Sequence, residues 1–305
     1  MSIVFFGTPE FAVPSLKTLL AEGEEVCLVV TQPDRVSGRG HRLSHPPVKG
    51  AALEAGLNII QPESLRGKGI ADEISSLSPE FIVVVAYGKV LPPSVLTIPL
   101  KGCINVHASL LPRYRGAAPI QWSIINGDEM TGVTTMLMDE GLDTGSILLQ
   151  QETVIKDDDT SETLGKRLST TGASLLIKTI KGIRDGSVRP QPQAGESSYA
   201  PIIKKKDGMI DWSKSAMDIF NFVRGMQPWP GAYCYINSEL VKLIKTEHTE
   251  GRGMPGVIAK TGSEGMIIGT GKDLLSVIEL QPSGKKPMPA AAFIQGRRIT
   301  AGRPL

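Results

Sequence analysis

The chain has 305 residues, 41% of them hydrophobic and 21% charged, with a net charge of +2. This composition excludes a disordered or collagen-like chain and leaves room for two globular domains. The charge is unevenly spread: residues 1–200 hold 18 Lys+Arg against 22 Asp+Glu, while residues 201–305 hold 15 against 9, so the basic end is the one suited to a polyanion.

The longest apolar runs are strand-length, which predicts no membrane span, and residues 3–6 begin a strand without a basic leader. Cys27, Cys103 and Cys234 are scattered and odd in number, which predicts free thiols and a reducing, cytoplasmic setting. In chain order, residues 3–6 and Gly7-Thr8-Pro9-Glu10 read as strand, turn and helix start, with Thr8 as cap. Phe11, Val13, Leu16, Leu19 and Leu20 supply the helix's apolar face. With one glycine in the turn and no G-x-G-x-x-G, a dinucleotide site is not supported.

A second strand is expected over 25–30. The stretch 31–47, rich in Gly and Pro and carrying Arg35, Arg39, His41 and Arg42, predicts a long loop without regular structure, either a solvated surface segment or a functional one. His41 and His45 lack the helical context of a metal pair, and no metal-ligand cluster is visible elsewhere. A helix over 48–55, a strand over 57–60 and a helix over 65–77 follow. The unbroken β-branched run 81–86 predicts a strand covered on both faces in a parallel sheet, ending in a turn at Tyr87-Gly88.

Residues 103–107 read as the end of a buried strand that carries polar groups out of the sheet into a cleft. Ile104 and Val106 alternate with Asn105 and His107, so the period of two places the amide and the imidazole on one face. An amide N–H can donate to a carbonyl oxygen gaining charge, and an imidazole can donate or relay a proton, so the pair suits acyl-type transfer. The same three residues also fit a hydrogen-bonded loop start. Ligands on open α/β sheets lie beyond the carboxyl ends of the strands, where Tyr87, Asn105 and His107 are expected to meet. A turn over 110–118, a helix from Pro119 and a strand over 133–138 lead to the acidic loop 139–145, which resumes as a strand at 146–150. Asp143 on that loop is either a turn former or a partner for His107. Ser161 is expected to cap a long helix to 184, with Leu164, Leu168, Leu175, Leu176, Ile180 and Ile183 on its core stripe. The Pro- and Gly-containing stretch 186–200 is the best linker candidate.

Beyond Lys204-Lys205-Lys206, a helix over 216–226 precedes five short strands over 232–236, 240–246, 256–259, 266–269 and 274–280, a pattern that predicts a small antiparallel barrel. Lys242, Lys245 and further basic residues decorate it, fitting either a solvated surface or backbone contacts to RNA. Trp212 and Trp229 read as packing residues.

Residues 105–119, Asn-Val-His-Ala-Ser-Leu-Leu-Pro-Arg-Tyr-Arg-Gly-Ala-Ala-Pro, together with Gly141-Leu142-Asp143-Thr144-Gly145, resemble the signature of the folate-dependent formyltransferases, and the likeness runs over nearly the whole chain. The resemblance implies a Rossmann-like, mostly parallel α/β sheet of the formyltransferase fold over 1–188, a linker over 189–206, and a basic OB-like barrel over 207–305. It implies Asn105, His107 and Asp143 as the catalytic set. Tyr87, Gly88, Val90, Ser109, Leu110, Leu111, Pro112, Asp139 and Gly141 would line the pocket for 10-formyltetrahydrofolate. The branch of the family that formylates the α-amino group of initiator methionyl-tRNA matches best, with Arg39 at the position of that branch's key loop arginine. Arg35, Arg42, Lys204, Lys205, Lys206, Lys242 and Lys245 are its further expected tRNA contacts. A monomer without metal or membrane attachment is expected. Formyl transfer to a small amine, hydrolysis of the folate, and a non-catalytic folate- or RNA-binding module are the alternatives.

Overall fold

The computed structural model describes residues 2–37 and 42–305. The first half runs β1 (Ser2–Gly7), α1 (Val13–Ala21), β2 (Glu25–Val30), β3 (Arg35–Ser37), β4 (Arg42–Ser44), α2 (Pro47–Glu54), β5 (Ile59–Ile60), α3 (Lys68–Ser76), β6 (Phe81–Val85), α4 (Pro93–Leu96) and β7 (Cys103–His107). It continues with β8 (Arg115–Gly116), α5 (Pro119–Ile125), β9 (Met130–Leu137), β10 (Ser146–Val154), α6 (Ser161–Asp185) and β11 (Tyr199–Ala200).

By the compactness of the fold the chain divides into two units, the first made of 1–119, 130–154 and 165–200 and the second of 120–129, 155–164 and 201–305. The first is built on a seven-stranded sheet in the order β10-β9-β7-β6-β1-β2-β5. Strands β7, β6, β1, β2 and β5 are parallel, and β9 runs antiparallel between β7 and β10. All five residues of β6 are buried, as its unbroken β-branched run predicts. Chain order reverses at β1, which has β2 on one side and β6 on the other, so the switch-point crevice opens where Gly7 and Val85 end their strands.

One face of the sheet packs Val4, Phe6, Ile82, Val84 and Cys103 against Leu65, Ile74, Leu91 and Val95. On the other face α6 approaches closely at Gly172, where an added Cβ would lie 2.8 Å from Val106 Cγ1 and 3.4 Å from Val133 Cγ1. Because Val106 sits between Asn105 and His107, this contact fixes the depth of β7. Gly172→Val is expected to lower stability by about 1–3 kcal/mol through overpacking, read as a fall in Tm; an unchanged Tm would mean the helix is free to move off the sheet. At the far end of α6, Arg184 donates to both carboxylate oxygens of Glu24 at 2.7 Å and to buried Glu80 at 2.8–3.2 Å, which pairs the Glu80 charge.

The second unit contains α7 (Ala216–Gly225), β12 (Tyr233–Ile236), β13 (Glu239–Thr249), β14 (Ile258–Gly262), β15 (Gly265–Gly269), β16 (Leu274–Pro282), β17 (Met288–Pro289) and α8 (Ala290–Arg297). Its strands form an antiparallel sheet, β12-β13-β16-β15-β14, with β17 beside β16. The five expected strands are present, and β17 and α8 add to them.

Several local expectations are corrected. Thr8 does not cap a helix, because its hydroxyl donates to the Tyr87 carbonyl at 3.0 Å and α1 starts only at Val13. The cap of α6 is Thr160 rather than Ser161: Thr160 Oγ1 accepts from Thr163 N at 3.3 Å, while Ser161 Oγ donates to the carbonyls of Gly225 and Gln227. The helix after Leu65 begins at Lys68, since Gly67 adopts φ +118° and breaks the turn before it. The stretch 31–47 is not wholly irregular, for β3 and β4 pair as an antiparallel hairpin with Arg35 opposite Ser44. Trp229 is 57% exposed and is not a packing residue.

Candidate active site

The period-two pattern of β7 is realised: Ile104 and Val106 are buried on the α6 side, and Asn105 and His107 continue the face of Cys103. The loops 86–92 and 139–145 are anchored to that same face through Leu91 and Met138, which join the apolar cluster around Cys103. The thiols of Cys103 and Cys234 are pushed up to about 12 by burial, so they pack as small hydrophobes and not as nucleophiles.

Asn105, His107 and Asp143 converge. Asn105 Nδ2 donates to Asp143 Oδ1 at 3.3 Å, and the Gly116 backbone N–H donates to Asp143 Oδ2 at 2.8 Å. His107 Nδ1 lies 3.8 Å from Asp143 Oδ2, an electrostatic contact longer than a hydrogen bond. The ring is oriented instead by Tyr114, whose carbonyl oxygen is 2.9 Å from Nε2. A carbonyl can only accept, so Nε2 carries a proton and Nδ1 is the ring atom left for chemistry. Asp143 adopts φ +52°, Tyr114 φ +59° and Gly116 φ +118°. Gly116 has a second constraint, because a Cβ there would meet the Ala200 carbonyl oxygen at 2.8 Å.

The other expected site residues divide by what they can reach. Tyr87 turns its ring away from the cleft: it is 1% exposed, packs edge-on against Phe6 at 5.1 Å, and its phenol is pushed up to about 12 by burial. Its carbonyl accepts from Thr8 and from Gln32 Nε2 at 2.9 Å, which pins the Tyr87-Gly88 turn. Val90 and Leu142, by contrast, stand 78% and 57% exposed on the two loops. Ser109 and Leu111 are buried: Ser109 Oγ donates to the Arg113 carbonyl at 2.6 Å, and Thr134 and Gln150 hold the turn from behind. Leu110 and Pro112 remain partly accessible. Asp139 Oδ1 accepts from Gly141 N and Thr144 Oγ1, so it shapes its own loop. Among the described residues no group of three or more His, Cys, Asp or Glu side chains is placed to hold a metal.

Arg39 lies outside the described residues, as does the side chain of Arg42. The base of the β3–β4 hairpin is anchored by Asp34, which accepts from Lys49 Nζ, Gln61 Nε2 and His45 Nδ1. The Lys49 hydrogen bond, with those of Gln61 and His45, holds the Asp34 carboxyl down to about 2, so the anchor stays ionised at any working pH. Exposed Arg35 donates to Gln32 Oε1 at 2.9 Å. In the second unit Lys204, Lys205, Lys206 and Lys245 are exposed, whereas Lys242 is half-buried, with Nζ donating to the Pro230 carbonyl at 2.5 Å. No helix among the described residues is long and apolar enough to cross a membrane.

The site also uses residues that the sequence did not single out. The stretch 186–200 is woven into the first unit: Gln191 exchanges two hydrogen bonds of 2.8 Å with Ile147, Ser198 Oγ accepts from Tyr114 N at 2.9 Å, and β11 pairs with β8. Gln193 bonds both the Asp143 loop and Arg115. These are long-range partners of backbone groups, for which a single sequence carries no signal.

A family model described as formyl transferase matches residues 1–180, and one described as the formyl transferase C-terminal domain matches 202–298. Curated relatives named methionyl-tRNA formyltransferase include one from Thermodesulfovibrio yellowstonii, 56% identical over 98% of this chain and 97% of its own length. Another, from Citrifermentans bemidjiense, is 49% identical over 99% of this chain and 95% of its own. Among solved structures, HypX from Aquifex aeolicus in complex with tetrahydrofolic acid superposes with a TM-score of 0.64 at 17% identity, covering 96% of this chain and 46% of HypX. At that identity the likeness concerns the fold.

Proposed function

The chain belongs to the formyl transferase family, and from that premise we propose that it moves the formyl group of 10-formyltetrahydrofolate onto the α-amino group of methionine carried by initiator methionyl-tRNA. The observation that carries the reading is the convergence of Asn105, His107 and Asp143, with Asn105 keeping one amide hydrogen free and His107 keeping Nδ1 free. The exposed Val90 and Leu142 side chains fit the ring system of the formyl donor.

In this mechanism the amine adds to the formyl carbon, and the second Nδ2 hydrogen of Asn105 donates to the formyl oxygen as that atom gains charge. A methionyl α-amino group with an ordinary pKa of about 7.7–8.0 is partly neutral at working pH and needs little activation. His107 Nδ1 takes the proton released by the new C–N bond and returns it to the folate nitrogen as the old C–N bond breaks, so the proton count balances. Asp143 faces the imidazolium that exists between those two events. The oxygen therefore falls to Asn105 and the proton to His107, instead of both side chains donating to the oxygen, because Nε2 is committed to Tyr114.

The basic C-terminal third, 207–305, would serve as the tRNA-binding domain through exposed residues such as Lys245, with 201–206, which carries exposed Lys205 and Lys206, leading into it. The same reading has the chain acting as a monomer in the cytoplasm. The test offers labelled formyl donor with methionylated initiator tRNA, methionylated elongator tRNA and small amines side by side. Transfer confined to the initiator is expected, with tRNA binding that weakens steeply as salt rises through counterion release. Transfer to small amines alone, or formate release without an acceptor, would discard the tRNA reading.

A further inference from the structure

Gln193 has every hydrogen-bonding position of its side-chain amide filled. Nε2 donates one hydrogen to the Asp143 carbonyl and the other to the Gly145 carbonyl, both at 2.8 Å. Oε1 accepts from Arg115 Nε at 3.1 Å and from Arg115 Nη2 at 2.6 Å. Two donors and two acceptor positions are the full inventory of a carboxamide, and here all four join pieces of the candidate site.

Those pieces come from different stretches of the chain. The loop 139–145 supplies the Asp143 carboxylate, while the turn at 112–118 supplies the Tyr114 carbonyl to His107 and the Gly116 N–H to Asp143. The loop's own bonds, from Gly141 N and Thr144 Oγ1 to Asp139, close it on itself, and Met138 N, donating to the Cys103 carbonyl at 2.8 Å, fixes where it leaves the sheet. Asp143 also holds a positive φ of +52°, a left-handed conformation that Asp adopts more readily than most non-glycine residues and that turns its carbonyl toward Gln193 Nε2. Gln193 clamps the carbonyls of Asp143 and Gly145 on either side of Thr144 while gripping Arg115, the residue between Tyr114 and Gly116.

We propose that Gln193 is a positioning residue for the transfer reaction: its amide fixes the Asp143 loop against the Arg115 turn and so sets the carboxylate where Asn105 and His107 require it. The proposal rests on the formyl-transfer reading and deepens it. Gln193 touches no reacting group and acts through Asp143. Small displacements of a positioned group are costly, about 10²-fold for 1 Å.

Gln193→Glu separates the two halves of the clamp. The carboxylate still accepts from Arg115 but presents an oxygen to the two carbonyls, and the loop is repelled. Gln193→Ala removes both halves. In both variants kcat should fall by about 10–10²-fold, a larger change than the rise in KM for the formyl donor, which follows from Leu142 riding on the same loop, with a fall in Tm small enough to leave the enzyme folded at the assay temperature. In an Asp143→Asn background, Gln193→Ala should cost little more, because its effect runs through the carboxylate already lost. Wild-type kcat in Gln193→Glu would overturn the proposal, since pairing with Arg115 would then suffice. Multiplicative losses in the double variant would overturn it as well. Absence of formyl transfer by the wild-type chain would instead remove the functional reading on which the proposal stands.

Discussion

Asn105→Ala is expected to lower kcat by about 10²–10³-fold while both substrates still bind, the size of effect seen when a single donor to a developing oxyanion is removed. Asn105 is half-buried, so the truncation opens little space, and the fold around it rests on Ile104 and Val106. The loss should appear in kcat and in kcat/KM alike, because in the proposed mechanism the free amide hydrogen is used only as the formyl oxygen gains charge. Single-turnover transfer of labelled formyl measures it directly. Near-normal turnover would remove Asn105 from the chemistry and leave its 3.3 Å contact with Asp143 as a packing detail.

Asp143→Asn should be of similar or greater size, about 10²–10⁴-fold in kcat, the range for losing a partner in general acid–base catalysis. The substitution keeps the shape and removes the charge facing His107 Nδ1 at 3.8 Å. The new amide can still accept from Gly116 N or from Asn105 Nδ2 through its one oxygen, but its nitrogen must face the other donor. Transfer rates across pH distinguish this from a folding defect: an unchanged profile at full amplitude would mean that the carboxylate is a turn former only.

The parts of the molecule written in local periodicity were legible. The run 81–86 announces a strand buried on both faces, and the alternation at 103–107 alone puts Asn105 and His107 on one side. The core stripe of α6 was equally plain, with Leu164, Leu168, Leu176 and Ile180 fully buried. What escaped depends on pairings between distant residues. Thr8 has good capping chemistry, yet its hydroxyl bonds a carbonyl 79 positions away. The loop at 31–47 has turn composition throughout, and its hairpin is held at the base by Lys49 and Gln61 from beyond it. His107 was matched to Asp143 by chemical type, whereas its ring is oriented by a backbone carbonyl, a group that every residue possesses and no sequence pattern marks. Gln193 stood in a stretch whose Pro and Gly content reads as a connector.

The weaving of 186–200 into the first unit bears on how such a protein can be recombined. The N-terminal family match ends at residue 180, but the hydrogen bonds that hold Tyr114, Arg115, Ala117 and the Asp143 loop originate at Gln193, Ser198 and Ala200. Exchanging everything past 180 for a segment that recognises another acceptor would strip the candidate site of its outer frame while leaving Asn105, His107 and Asp143 formally intact. A seam must fall no earlier than Ala200, where the last segment of the first unit ends, and the incoming part must match 120–129 and 155–164, which belong to the second unit. Acceptor choice can diversify only if the strap is inherited together with the chemistry it braces.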